Sequence, residues 1–499
     1  MAAQMRQVRG GVEASNGKLA VHYRRHPGSS RIPLLLGSVP PAGRTPAAAA
    51  VSQIADGAPQ PAVDRGAGMR ILFTTYSEKT HFHAMVPLAW ALMGAGHEVR
   101  VASQPALTEV ITRSGLTAVP VGSDHHLWRV LERFLNPRFA AANPEMYKQI
   151  RAVDLPPFDT ADDSLEDISW DYLQSGYETV VRNWYKMIND PMTSDLVAFA
   201  RQWKPDLVIW EQATYAGPIA ARAVGAAHIR MPWCLDIFGK TRENFLRLRE
   251  TRPPDARRDP LGEWLAENCD RSGVDFSEDM TTGQATIDQY PAPLQLKADI
   301  EYLAMRYVPY NGVSVIPDWL WAPPTRPRVC LTLGVSATQR FGGYPVGVGE
   351  LLDALGDVDA EIVATVSEET QSELKRVPDN IRLVSFVPLS ALMPTCVASI
   401  NHGAFGTFNT TALAGVPQLT IPEQHDNPPV CDRLVDYGAG LTEYYTDVTG
   451  EKVRGHLLRL LEEPSFTTAA AALREEMLAM PTPRDLVPRL TEAAAQYRP

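Results

Sequence analysis

Val397-Ala-Ser-Ile-Asn-His402-Gly403-Ala404-Phe405-Gly406-Thr407, followed by Gly415-Val-Pro417-Gln-Leu-Thr-Ile-Pro422-Glu-Gln-His425-Asp426-Asn427-Pro428, decides how this chain is read. A short β-branched run ends in His402-Gly403, a glycine-punctuated turn opens a helix, and a second apolar strand follows. That order aims helix N-terminal N–H groups and one imidazole at a single point, an arrangement suited to a diphosphate. Asp426 and Asn427 leave the next strand on the same edge, within reach of whatever the diphosphate carries. The stretch reads as a nucleotide-sugar site.

Working outward, the same alternation of strand and helix fills most of the chain. Strands are expected at Arg70–Thr75, Val99–Ala102, Thr117–Val121, Asp206–Trp210 and His228–Met231. Helices fall at Ala84–Ala95, with Pro87 in the first turn, at Ala106–Ser114 and at Gly217–Val224. A second series has strands at Val329–Leu333, Glu361–Val366, Ile381–Ser385, Ala398–Asn401 and Gln418–Ile421. Such alternation specifies βαβ units and parallel sheets. The fold class is therefore α/β, with two doubly wound domains facing across a cleft. The domains are placed at 69–307 and 328–480, joined by a Pro-rich linker at 308–327, with a last helix at 481–499 crossing back to the first domain. Residues 125–200 carry amphipathic helical patterns rich in Trp and Tyr.

Residues 1–68 are rich in Ala, Pro, Gly and Arg and bury too little apolar surface to offset their ordering entropy. They read as a disordered tail or as a start assigned too early, the latter preferred because Met69 directly precedes the first strand. This segment has 8 Lys/Arg and 3 Asp/Glu, which leaves 39 against 55 in the remainder, a net charge of −16. A body that acidic repels phosphate backbones and argues against nucleic acid as partner. The five scattered cysteines fit reduced thiols better than disulfides or a zinc site. No apolar run reaches membrane-spanning length. A cytoplasmic location without membrane attachment is expected.

His402 would stabilise the charge that develops on a departing diphosphate, aided by the N–H groups around Gly403, Ala404 and Gly406. Thr407 and Asn409 would add side-chain donors. Thr332, Gly334 and Ser336 follow the first strand of the same series, where they either line the phosphates or simply turn the chain. Asp426 and Asn427 offer a carboxylate and an amide to sugar hydroxyls, or else form an Asx-turn before Pro428. His81 and His83 lie near the start of the helix bearing Pro87. A neutral imidazole there would take the proton of an attacking hydroxyl, and spacing to Pro87 favours His81, with packing left to His83. Glu211 either orients that base or only walls the cleft. No Gly-x-Gly-x-x-Gly follows the first strand, no Walker loop occurs, and Asp357-Val-Asp359 reads as a turn rather than a metal site.

Longer phrases extend the comparison. Val86-Pro-Leu-Ala-Trp-Ala-Leu, Gly96-His-Glu-Val-Arg-Val-Ala-Ser-Gln-Pro-Ala-Leu-Thr, Pro205-Asp-Leu-Val-Ile-Trp-Glu, Met305-Arg-Tyr-Val-Pro-Tyr-Asn-Gly, Val329-Cys-Leu-Thr-Leu-Gly-Val-Ser and Pro378-Asp-Asn-Ile-Arg-Leu-Val-Ser-Phe-Val-Pro are the clearest. With them the chain resembles the GT-B glycosyltransferases of polyketide antibiotic pathways, and most nearly the desosaminyl, mycarosyl and forosaminyl transferases of macrolide and anthracycline biosynthesis. The resemblance implies a GT-B fold of two Rossmann-like domains. It implies transfer of a deoxysugar from a TDP-deoxysugar donor to a polyketide aglycone, with inversion and without metal or cofactor. By motif position His81 matches the family's base, His402 its pyrophosphate-binding histidine and Asp426 its sugar-binding aspartate. An auxiliary activator protein resembling a cytochrome P450 is also implied, docking within residues 160–200, and a homodimer is left open. Where members carry His-His-Gly-Gly this chain has Asn401-His402-Gly403-Ala404, which asks for a negative φ at Ala404. Two alternatives are a catalytically silent auxiliary protein on the same fold and a nucleotide-sugar 2-epimerase.

Overall fold

The computed structural model describes residues 68–129, 142, 156–334, 344, 346–422 and 427–497. Two parallel sheets organise them. The first has seven strands: β1 Arg70–Thr74, β2 Glu98–Ser103, β3 Thr117–Pro120, β4 Leu207–Trp210, β5 Ala227–Arg230, β6 Thr286–Asp288 and β7 Tyr302–Ala304. They lie in the order β3-β2-β1-β4-β5-β6-β7. The second has six: β8 Arg328–Thr332, β9 Glu361–Thr365, β10 Ile381–Val384, β11 Ala398–Asn401, β12 Gln418–Thr420 and β13 Gly440–Thr442. Their order is β10-β9-β8-β11-β12-β13. In each sheet the strand order reverses once, between β1 and β4 and between β8 and β11. Such reversals open a crevice beyond the strands' carboxyl ends.

The central strands β4 and β8 are buried along their whole length, as expected of parallel strands covered on both faces. The three-residue strands β6, β7 and β13 escape the sequence reading because they are too short to show a period. Tertiary contacts make them. Buried Arg230 on β5 bonds Thr286 Oγ1 on β6 at 3.1 Å and Asp236 at 2.6 Å, and the Tyr302 hydroxyl on β7 donates to the same Asp236 at 2.6 Å. Breaking a buried pair of this kind costs about 3–5 kcal/mol. β13 comes so close to β12 that a Cβ on Gly440 would sit 2.3 Å from the Gln418 carbonyl oxygen.

Two expectations need correction. The first helix spans Lys79–Gly94, so Pro87 lies in its interior and not in its first turn. The start is set by Glu78, whose side chain accepts from the Thr80 N–H at 3.3 Å, so the helix begins ahead of the point the proline suggested. His81 and His83 consequently lie inside the helix. The aromatic stretch around residues 170–185 is mainly core rather than a docking surface. Trp170 and Tyr177 pack on Phe245 with ring centroids 4.9 Å apart in each case, and Tyr185 is fully buried, while Trp184 is only partly so.

The last helix, Pro483–Gln496, starts with a capping box between Thr482 and Asp485. Its Leu486, Val487, Leu490, Ala493 and Ala494 join the core that contains Ile71, Phe82 and Leu88 of the first sheet and helix. Among the described residues no helix is long and apolar enough to cross a membrane. Leu490 is fully buried there, so Leu490→Ala is expected to cost about 3 kcal/mol. Chemical denaturation checks this, and an unchanged midpoint would contradict the packing.

Candidate active site

Both strand-order reversals carry chemistry at their carboxyl ends. In the first sheet, β1 leads through Tyr76 into the helix holding His81, and β4 runs directly into Glu211. His81 Nδ1 stands 3.7 Å from Glu211 Oε2, just beyond hydrogen-bond reach. The imidazole stacks on Trp233 at a centroid distance of 4.0 Å and meets the edge of Tyr76 at 5.0 Å. Glu211, wholly buried, accepts from the Ala213 N–H at 3.1 Å, from Trp233 Nε1 at 3.3 Å and from the Thr214 hydroxyl. A buried carboxylate is tolerable only when it is supplied with donors in this way. The cage fixes Glu211, which lies on the Nδ1 side of His81.

His81 and Glu211, both named from the sequence, are brought together here; the rings around them were not foreseen. Trp233 is 152 residues from His81 in the chain, and no periodicity connects them. His125 was also missed. Its ring lies 5.5 Å from Tyr76, and burial pushes its pKa down to about 4. His83 is separate from the pair: it faces Tyr310 at 5.1 Å, and burial and then Lys79 lower its pKa to about 4.

In the second sheet the reversal brings Gly334, after β8, against His402, after β11. A Cβ on Gly334 would lie 2.7 Å from His402 Nε2, and its φ of +78° already excludes most side chains. The glycine thus makes room for the imidazole. Burial lowers the His402 pKa to about 4, with the Thr332 backbone pulling weakly the other way. Gly403 has φ +74°, and a Cβ there would strike Cys431 Sγ at 2.6 Å. Its N–H donates to Asn401 Oδ1 at 2.9 Å, and Asn427 Nδ2 donates to the His402 carbonyl at 3.2 Å. Asn401 is thus a buried strut.

Ala404 precedes the helix Phe405–Leu413 with φ −68°, the sign its methyl group requires, and no side chain caps that helix. The Phe408 N–H reaches back to the Ala404 carbonyl at 2.9 Å, so the N–H groups of Phe405, Gly406 and Thr407 precede the first intrahelical bond. Gly406 is exposed and Thr407 half-buried, both in that first turn. Asn409 differs: it is buried one turn deeper, and its Nδ2 donates to the Phe405 carbonyl at 3.0 Å. Thr332 Oγ1 accepts from Thr365 at 2.6 Å. Ser336, His425 and Asp426 lie outside the described residues. Asp357 belongs to a turn before β9, where Arg454 holds its carboxylate with two bonds of 2.9 Å. Among the described residues no cluster of His, Cys, Asp and Glu has the makings of a metal site.

Comparison with known proteins gives the same picture. Residues 90–334 match the N-terminal domain, and residues 349–493 the C-terminal domain, of a family described as erythromycin biosynthesis protein CIII-like. The chain is 46% identical over 434 residues to 10-deoxymethynolide desosaminyltransferase of Streptomyces venezuelae, covering 86% of this chain and 98% of that protein. It is 44% identical over 435 residues to aclacinomycin-T 2-deoxy-L-fucose transferase of Streptomyces galilaeus, covering 86% and 97%. The crystal structure of glycosyltransferase VinC in complex with DTDP superposes with a TM-score of 0.74 at 40% identity, over 86% of this chain and 100% of that one.

Three histidines, His83, His125 and His402, are depressed to about 4 mainly by burial and are neutral at pH 7. In the unfolded chain each takes up a proton below about 6.5, whereas the folded protein does not until about 4. Their contribution to stability is therefore complete above pH 6.5 and is lost as pH falls towards 4. Urea midpoints should drop across that window, with a shallower drop for His402→Asn. A slope identical to wild type in that variant would contradict the buried neutral state.

Proposed function

The chain belongs to the erythromycin biosynthesis protein CIII-like family, and we propose that it is an inverting O-glycosyltransferase that moves a deoxysugar from a TDP-deoxysugar onto a hydroxyl of a polyketide aglycone. The observation that carries this reading is the pairing of the two strand-order reversals. One presents a caged imidazole and carboxylate, and the other presents an imidazole beside an uncapped helix start.

In this reading Glu211 faces His81 Nδ1, which favours the proton on that nitrogen and leaves Nε2 to accept the proton of the acceptor hydroxyl. As the hydroxyl oxygen bonds to the anomeric carbon, the bond from that carbon to the diphosphate oxygen breaks on the opposite face. The departing TDP carries the electron pair. Its growing charge is met by the N–H groups of residues 405–407, by Ala404 at the turn and by the His402 N–H, while the Gly403 N–H stays on Asn401 and Gly403 only shapes the turn. These donors gain most when the charge is largest, so they favour the transition state over the bound donor. Gly334 flanks the phosphates after β8; Ser336, Asp426 and Asn427 are assigned to the phosphates and the sugar by their place in the sequence alone.

The relatives named above are transferases, which favours this reading over a silent auxiliary protein or a 2-epimerase. A silent protein would also have no use for a buried carboxylate held against His81. An auxiliary activator protein and a homodimer belong to the same reading as partners, and assays run with and without an added activator separate them from the chemistry.

His81→Ala is expected to lower transfer at least a hundredfold, in line with loss of a general base, while TDP affinity stays within about twofold. Glu211→Gln should lower turnover less, since it retains the cage geometry but not the charge. Product formation from TDP-deoxysugar and aglycone measures both, and wild-type turnover in His81→Ala would overturn the assignment.

A further inference from the structure

The helix Phe405–Leu413 is not held by its own sheet alone. Its first residue, Phe405, is clasped between two tyrosines from the other half of the molecule. The ring centroids of Tyr290 and Phe405 are 5.5 Å apart at 82°, and those of Tyr307 and Phe405 are 5.4 Å apart at 89°. Tyr290 also meets Phe408, one turn on, at 6.2 Å. The Tyr307 hydroxyl donates to the Gly406 carbonyl at 3.2 Å and lies 3.1 Å from Thr410 Oγ1, which itself donates to that carbonyl at 2.6 Å.

Both tyrosines come from the carboxyl edge of the first sheet. Tyr290 lies two residues past β6, and its N–H is held by Asp288 Oδ1 at 2.9 Å. Tyr307 lies three residues past β7. Both rings are almost entirely buried, and burial pushes the Tyr307 hydroxyl up to about 12, so it stays protonated as a donor. The far strands of the sheet that also contains β1 are therefore fastened to the helix Phe405–Leu413 by a specific aromatic clasp.

We propose that Tyr307, supported by Tyr290, is a positioning residue that sets the diphosphate-facing helix at the correct distance from His81. This rests on the transferase reading above. Transfer requires the anomeric carbon, held by the second sheet, to meet a hydroxyl activated from the first. A displacement of about 1 Å in such an arrangement can cost a hundredfold in rate. The clasp grips rings, a carbonyl and a hydroxyl of the helix and none of its first-turn N–H groups. It acts on the spacing between the halves, so its loss should spare donor binding and penalise the transfer step.

The test compares wild type with Tyr307→Phe and Tyr290→Leu in three measurements: kcat for transfer, TDP affinity by calorimetry, and the ratio of donor hydrolysis to transfer. Tyr307→Phe keeps the ring and removes the hydroxyl, and a fivefold to tenfold fall in kcat is expected from roughly one lost hydrogen bond. TDP affinity should stay within about twofold, and the hydrolysis-to-transfer ratio should rise, because water needs less exact placement than an aglycone. Tyr290→Leu should show the same split, and it keeps the test open if the other variant folds poorly. Unchanged transfer in both variants, or a fall in transfer matched by an equal fall in TDP affinity, would overturn the proposal. A wild-type protein that binds TDP yet transfers nothing would instead fault the transferase reading.

Discussion

Every strand pair recorded in either sheet is parallel, and the rest of the structure depends on that constraint. Parallel strands deliver their carboxyl ends to one edge, and each crossover returns the chain beneath the sheet before the next strand begins. Functional residues therefore collect on one side of each sheet. Within that side, only the point where strand order reverses leaves a gap between successive connections. Here the two gaps lie at β1/β4 and β8/β11, and they are where His81 meets Glu211 and where Gly334 meets His402.

The two gaps are built on different physical terms. At β1/β4 a buried carboxylate must be kept satisfied, so the structure surrounds it with one backbone N–H, one indole N–H and one hydroxyl. That cage costs conformational freedom and gives a base of fixed orientation. At β8/β11 the requirement is open backbone. Glycines with positive φ at 334 and 403 let the chain approach the imidazole and Cys431 closely, and the helix beyond is left uncapped. An unmet helix start is a local weakness in stability and an asset for an anionic ligand.

What the sequence made legible follows from the same division. The apolar runs announced ten of the thirteen strands, because burial on both faces leaves a run of apolar residues that composition alone reveals. His402 and its glycines were legible because a turn into a helix has local chemistry. Strands β6 and β7 were not, since they exist through Arg230, Asp236 and Tyr302, which meet only after folding. The cage residue Trp233 and the clasp residues Tyr290 and Tyr307 were hidden for the same reason. Their ring partners lie about 100 residues or more away, and an isolated aromatic in sequence looks like any core residue. The aromatic stretch at 170–185 misled in the opposite direction, since its rings serve the core.

The central claim is that an uncapped helix start and His402 form a site for a nucleoside diphosphate. Calorimetric titration of the full chain and of His402→Ala with TDP, using UDP and NADP as controls, tests it most directly. One TDP per chain is expected, bound in preference to both controls, with affinity in the variant weakened roughly tenfold or more through loss of a hydrogen bond to a charged group. Absence of TDP binding, or equal binding by wild type and His402→Ala, would contradict it.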